Sequence, residues 1–474
     1  MVADANRGLL LSTDATESPT VFAEAHHTIE AVIVSPSGAV LVLGWIDDDL
    51  RPLDSVTLVG PGWRVVLDAA SLVRRVRPDV AQALERPATY PYGYLGFVFG
   101  ARRIRTDGPC EACVTFRDGG VATATLKMRT VDDEELRTIL MSHVPQSPQA
   151  FASLAAGLGD QIIRFNRAIA DRITAHPYVE RFGGSSTARR GSIVVCLYGR
   201  PEFHFVQTAL FSTNEGVEDY EFIFVSNSPE LADTLLDSAR KAHRIHGLDQ
   251  TMVLLPANAG FGAANNVAAN SARSDRLLIV NPDVLPRDPA WARRHGELVD
   301  TRPDTESRLF GAALYYGDGC LMHGGMYFER DTAVVFDRDG AHASRRVRVE
   351  HFGKGAPTDT PRFTRARPVP AVTGAFISVA RPWFEHLGGF TEDYVFGHYE
   401  DADLCLKSLA AGTAPWLQDL RLWHLEGQSS PPHAVQQSAS LVNQWLLSSR
   451  WGGFIDDALL GPSPSHPLLC EPRA

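Results

Sequence analysis

Basic charge is in short supply: 45 Lys and Arg stand against 56 Asp and Glu, for a formal net charge of −11. Such a chain offers no field to gather a polyanion, which argues against nucleic acid as a partner. Long hydrophobic runs are missing too, since none approaches the roughly 20 apolar residues that span a bilayer. The opening residues, Met1-Val2-Ala3-Asp4-Ala5-Asn6-Arg7, lack the basic start and unbroken apolar segment of a secretory signal. The expectation is a soluble, cytoplasmic protein, with any membrane contact peripheral. Cysteine is scarce, six in 474 residues, and scattered apart from Cys110-Glu111-Ala112-Cys113. A disulfide framework is excluded on that spacing, and a zinc ribbon lacks its second C-x-x-C. The pair therefore reads first as two residues of a strand or hairpin.

An apolar fraction of 44% with 21% charged residues describes a globular chain. At about 100–200 residues per domain, this length predicts two or three domains. Residues 1–22 are polar and aperiodic, a flexible tail. Residues 23–130 carry short β-prone runs separated by turn residues, among them Ile29–Val34, Ala39–Leu43, Val56–Val59, Trp63–Leu67 and Val114–Phe116. That spacing predicts a small all-β, sandwich-like accessory domain. Residues 131–190 read as a helical linker ending in the Gly/Ser-rich joint Gly183–Gly191.

From 191 to 430 apolar runs alternate with helical patterns, as in an α/β domain with a mostly parallel sheet. The strand candidates are Ile193–Leu197, Phe222–Val225, Met252–Leu255 and Leu277–Val280. In such sheets ligands bind beyond the carboxyl ends of the strands, which brings Tyr198, Ser226, Asn258 and Asp283 toward one crevice. Residues 431–474 form a C-terminal helix and tail.

Four segments carry chemistry. Asn281-Pro282-Asp283 ends a buried strand with a carboxylate that can hold a divalent cation against phosphate oxygens; a plain turn aspartate is the bland alternative. Glu400-Asp401-Ala402-Asp403 opens a predicted helix with three acids in four positions. That exceeds what a helix dipole needs, so crowding should raise the pKa of at least one. His424 sits where a short strand gives way to a loop, either structural or a ligand to a metal held by Asp283. The turn Asn258-Ala259-Gly260-Phe261-Gly262-Ala263-Ala264-Asn265-Asn266 is similar to a dinucleotide fingerprint, with Asn265 where the third glycine belongs.

In their order along the chain, these segments resemble the inverting glycosyltransferases of family 2, which have a GT-A fold, and their bacterial rhamnosyltransferase-like members. Tyr198-Gly199-Arg200-Pro201, Asn258–Asn266, Asn281-Pro282-Asp283, Val372–Phe376, Leu387–Phe390, Glu400-Asp401 and His424 carry the resemblance, over about residues 192–427. It implies Asp283 and His424 as ligands of Mn2+ or Mg2+, Asp401 as general base, and Glu400 as the group that orients the base or the acceptor. It also implies Tyr198, Ser226, Asn258, Gly262, Asn266 and Asp283 on the donor side, with Gly374 and Ala375 on the acceptor side. The activity implied is metal-dependent transfer of a hexosyl or deoxyhexosyl group, with inversion. The donor would be a nucleotide-diphosphate sugar and the acceptor a glycan or lipid-linked hydroxyl, in polysaccharide biosynthesis. One departure is Ser226-Asn227, where the family has Asp-Asn. A nicotinamide-dependent oxidoreductase using Gly260 and Gly262, and a non-catalytic carbohydrate-binding protein, remain as alternatives. The long charged segment from Arg330 to Pro368 is expected over the acceptor side, or as a solvated excursion.

Overall fold

A computed structural model of the chain describes residues 20–22, 27–49, 51–100, 102–184, 190–301, 308–331, 334–337, 340–343, 346–358, 360–425 and 433–460. The tail up to residue 19, the middle of the Gly/Ser joint, Arg345, Glu426-Gly427, Cys470 and the C-terminal tail lie outside the described residues. The chain divides into two compact units. The first comprises 1–145 with 156–162, the second 146–155 with 163–474.

The first unit is built on a nine-stranded sheet and also holds the helices Pro78–Ala83 and Asp133–His143. It is thus β-rich rather than all-β. Strands from both ends of the sheet path supply one core, Val56, Leu58 and Val114 with Val32, Val42 and Tyr94. The strand Gly93–Phe99 carries glycines because a Cβ at Gly96 would lie 2.8 Å from Leu67 and Leu72. In Pro109–Phe116, Cys110 is buried and Cys113 half-buried. An offset of three along a strand turns these two side chains to opposite faces, so they do not form a joint thiol site.

The second unit is α/β around an 11-stranded sheet. Its centre is four mutually parallel strands in the order Gln250–Leu254, Tyr220–Ser226, Gly191–Leu197, Arg276–Val280. All but the half-buried Arg276 are buried along their length, which is why they read as continuous apolar runs. The sheet as a whole is mixed rather than mostly parallel. Phe376–Ala380 joins Arg276–Val280 antiparallel, and Tyr178–Phe182, inside the stretch read as a helical linker, forms an antiparallel edge. The chain leaves Gly191–Leu197 toward one side and returns to its other side with Arg276–Val280. That reversal opens a crevice at the carboxyl ends of these two strands.

Among its described residues the Arg330–Pro368 segment includes paired strands rather than a bare loop. Met326–Arg330 pairs with Val347–His351, and Val334–Asp337 pairs with Gly340–Ala343. Helix His433–Ile455 follows the last strand, Trp416–His424.

Trp291, 1% exposed, anchors the core of this unit. Its ring lies 5.0 Å from Phe211 and 6.4 Å from Phe376, and its Nε1 donates to Asn214 Oδ1 at 2.9 Å. Trp291→Ala should cost about 3–5 kcal/mol in denaturant unfolding of the second unit. A midpoint equal to the wild type would mean that the ring is not packed as described.

Candidate active site

At the crevice lies a cavity of about 430 Å³. Tyr198, Asn227, Asn258, Asn281 and Pro282 line it from the carboxyl ends of the four parallel strands. Thr373, Gly374, Ala375, Glu400 and Asp401 line it as well. The two sets are tied together, since Asn281 N donates to Ala375 O at 2.9 Å.

The three acids at the start of helix Glu400–Ala410 have three different fates. Asp403 is fully buried and satisfied: Thr391 Oγ1, Tyr394 Oη and Trp451 Nε1 donate to it at 2.6, 3.2 and 2.8 Å, with Lys407 Nζ and Arg450 Nε at 3.4 Å. It is a structural hub. Asp401 is half-buried and aimed by two backbone amides, Gly374 N to Oδ2 at 2.7 Å and Ala402 N to Oδ1 at 2.8 Å. Each oxygen keeps a lone pair for a further donor. Glu400 is buried, yet its Oε2 has no hydrogen-bond partner among the described residues. Burial first, then the charge of Asp401 and, more weakly, that of Asp403, pushes its carboxyl up to about 8. Crowding therefore falls on Glu400.

The turn that delivers this pair is strained. Phe396, His398 and Tyr399 have φ of 59°, 82° and 76°, three of the four non-glycine residues with positive φ among those described. Such conformations cost about 1–3 kcal/mol each and persist only where surrounding contacts impose them.

Asp283 and His424 come together, as neighbouring strands pair Val284 with His424. His424 Nε2 lies 3.3 Å from Asp283 Oδ1, and that buried oxygen has no hydrogen bond among the described residues. Neither residue lines the cavity; Pro282 and Met322 beside them do, and His424 Nδ1 is 3.5 Å from Met322 Sδ. An unsatisfied carboxylate oxygen beside an imidazole suits a divalent cation as a partial ligand set. Among the described residues no third His, Cys, Asp or Glu completes it.

Ser226, Gly262 and Asn266, expected on the donor side, lie outside the lining. The Ser226 hydroxyl closes its own turn, donating to Ser228 O and accepting from Ser228 N. Its neighbour Asn227 reaches the cavity instead, with Oδ1 accepting from Ala259 N and Nδ2 donating to Gly260 O. Gly262 lets helix Phe261–Ala269 approach Phe390, to whose Cβ an added Cβ would lie 3.2 Å. Asn266 brackets Phe390 with two hydrogen bonds of 2.9 Å. The glycine turn is not open to a pyrophosphate either. Phe261 N already donates to Phe396 O at 2.5 Å, and a Cβ on Gly260 would meet that same oxygen at 3.2 Å.

Sequence reasoning missed much of the remaining wall: Met326, Val349 and His351 from the Arg330–Pro368 region and its border, and Gln436, Ala439 and Ser440 from helix His433–Ile455. The last three fall at helical spacing, a signal that was present but indistinguishable from ordinary amphipathicity.

No family model matches the chain. Over 221 residues, 44% of this chain, it is 31% identical to the uncharacterised protein y4gI of Sinorhizobium fredii. Over 261 residues, 54% of this chain, it is 28% identical to the O-antigen biosynthesis protein RfbC of Myxococcus xanthus. The matches cover 22% and 18% of those proteins, so the chain spans about a fifth of the length of the curated relatives it matches. Similar solved structures include the mannosyltransferase PcManGT from Pyrobaculum calidifontis in complex with GDP-Man and Mn2+. The identity there is 14% and the TM-score 0.36, over 67% of this chain and 83% of that one. Another is GalNAc-T7 with UDP, GalNAc and Mn2+, at 14% identity and a TM-score of 0.38, over 54% of this chain and 48% of that one. Among the described residues no helix is long and apolar enough to cross a membrane.

A pH dependence follows from Glu400. Its folded value of about 8 exceeds the ordinary 4.5, so the native state binds the extra proton between them. Its contribution to stability is fully present below about 4.5 and is lost as pH rises toward about 8. Glu400→Gln removes that decline, and its melting temperature relative to the wild type should climb across this window. A difference that stays constant from about pH 5 to 8 would contradict the assignment.

Proposed function

We propose that the second unit is a glycosyltransferase that moves a sugar from a nucleotide-diphosphate donor to a hydroxyl of a glycan or lipid-linked acceptor. The observation that carries this reading is one cavity at the strand-order reversal of a parallel core, lined on one side by strand-end polar residues and on the other by Glu400 and Asp401.

In this reading Tyr198, Asn227 and Asn258 face the donor, while the acceptor hydroxyl lies against Asp401. The acceptor oxygen forms its bond to the anomeric carbon as the bond to the phosphate oxygen breaks. The electron pair leaves with the diphosphate, and the acceptor proton passes to Asp401. Displacement from the face opposite the leaving group inverts the anomeric centre. Glu400, protonated at neutral pH, contributes a donor that orients the hydroxyl without placing a second negative charge beside the base.

Among the described lining residues there is no Lys or Arg, while two carboxyl groups are present, those of Glu400 and Asp401. A diphosphate leaving group would therefore need its charge balanced by a cation, the chemistry that Mn2+ or Mg2+ supplies when bound. Asp283 and His424 are the residues that would hold it. Similarity over about half of the chain to a protein named for O-antigen biosynthesis supports a glycan or lipid-linked acceptor and a role in polysaccharide assembly. Membership of family 2 and a hexosyl or deoxyhexosyl donor belong to the same proposal. The nicotinamide alternative is disfavoured by the Phe396 carbonyl at the glycine turn.

The test is release of nucleoside diphosphate from a panel of UDP-, GDP- and dTDP-sugars with Mn2+. Turnover should stop in excess chelator, and Asp283→Ala should weaken donor binding. Asp401→Asn should lower kcat by about 10²–10⁴-fold with donor affinity retained. Full turnover in chelator sinks the metal assignment, and wild-type kcat in Asp401→Asn sinks the base.

A further inference from the structure

Helix His433–Ile455 lies beyond the segment that carries the family resemblance, yet one of its faces reaches the cavity. Gln436, Ala439, Ser440 and Asn443 recur at positions i, i+3, i+4 and i+7, a single helical stripe. The first three line the cavity; the fourth is fully buried beneath the strained turn.

Every hydrogen bond of the Asn443 side chain goes to that turn. Its Oδ1 accepts from Val395 N at 2.8 Å, and its Nδ2 donates to Val395 O, Gly397 O and His398 O at 3.0, 2.7 and 3.1 Å. The partners fix which end of the amide is which, because an oxygen facing three carbonyls would be repelled. From the other side Phe261 N holds Phe396 O. Within these two grips lie Phe396 and His398 with left-handed φ; Tyr399, also at positive φ, follows at once, and the next residue is Glu400. A turn of this kind keeps its shape only while the contacts that impose it persist.

We propose that Asn443 is a positioning residue. It holds Val395–His398 in the left-handed turn and so sets the direction in which Glu400 and Asp401 enter the cavity, making the C-terminal helix part of the working site. An apolar residue would satisfy packing at a fully buried helix position. A side chain whose polar atoms all serve the residues just before Glu400 does more than pack. The inference rests on the glycosyltransferase reading for its effect on turnover, though not for the hold on the turn.

The experiment compares Asn443→Asp, Asn443→Ala and Leu447→Ala in the full chain. Asn443→Asp keeps the size and the acceptor for Val395 N, and replaces the three-carbonyl donor with a repelling oxygen. Leu447 is fully buried one turn further along the same helix, and its truncation weakens packing while removing none of the hydrogen bonds that Asn443 makes to the turn. Amide hydrogen exchange without substrate should quicken across residues 395–400 in both Asn443 variants and stay at the wild-type rate there in Leu447→Ala. With whichever nucleotide sugar the wild type consumes, the Asn443 variants should lose about 10- to 100-fold in kcat, as expected for misplaced groups. Binding of the corresponding nucleoside diphosphate with Mn2+ should stay within about twofold of wild type, since uniform binding is untouched. Leu447→Ala should keep its kcat. Wild-type kcat in Asn443→Asp, or unchanged exchange over 395–400, overturns the proposal. If the wild type consumes no nucleotide sugar, the transferase reading fails by itself, and the exchange result still decides whether Asn443 holds the turn.

Discussion

A buried carboxyl with an unsatisfied oxygen, Glu400 Oε2, is the constraint around which the second unit is arranged. Leaving such a group without a partner is costly, and the fold does not spread that cost evenly over its acids. Asp403, three positions on, is satisfied by side chains from the preceding loop and the C-terminal helix. Asp401 is aimed by two backbone amides. Of these three neighbouring acids it is Glu400 whose oxygen is left without a hydrogen-bond partner among the described residues, at the cavity wall and just after a strained turn. Backbone strain and an unsatisfied carboxyl oxygen thus meet at the cavity wall, and the proposed site is built on that coincidence.

The rest of the unit follows from holding that point still. The parallel core sets four strand ends around a crevice, and the antiparallel Phe376–Ala380 strand locks the Thr373–Ala375 loop onto Asn281. Helix Phe261–Ala269 and helix His433–Ile455 grip the turn through Phe261 N and Asn443. The short hydrogen bond from Phe261 N also explains why a glycine turn that looks like a nucleotide fingerprint serves another purpose. Its first helical amide, the group that would meet a pyrophosphate, is already used.

The parallel core was legible in the sequence because strands buried on both faces leave continuous apolar runs, as in Phe222–Val225. The strand Gly93–Phe99 was hidden by glycines that close packing against Leu67 and Leu72 requires. Tyr178–Phe182 was hidden because this edge strand has no buried residue, so it carries no continuous apolar run and reads as part of the helical linker. At the site, adjacent carboxylates announced Glu400 and Asp401, whereas Ser226, Gly262 and Asn266 looked like their lining neighbours Asn227, Asn258 and Phe261. Local pattern does not reveal which side of a helix or turn faces a cavity. Asn443 had no signal at all, because its meaning comes from a turn 45 to 48 positions away in the chain.

The central claim is that donor and acceptor meet in this one cavity, with Asp401 facing the reacting carbon. The most direct measurement is a crystal structure of the Asp401→Asn protein with Mn2+ and the nucleotide sugar that the wild type consumes. The account predicts the diphosphate beside Asn281 and Pro282, anomalous signal for manganese at Asp283 and His424, and the anomeric carbon turned toward position 401. A nucleotide bound elsewhere on the chain, or a sugar turned away from the Glu400–Asp401 wall, would contradict it.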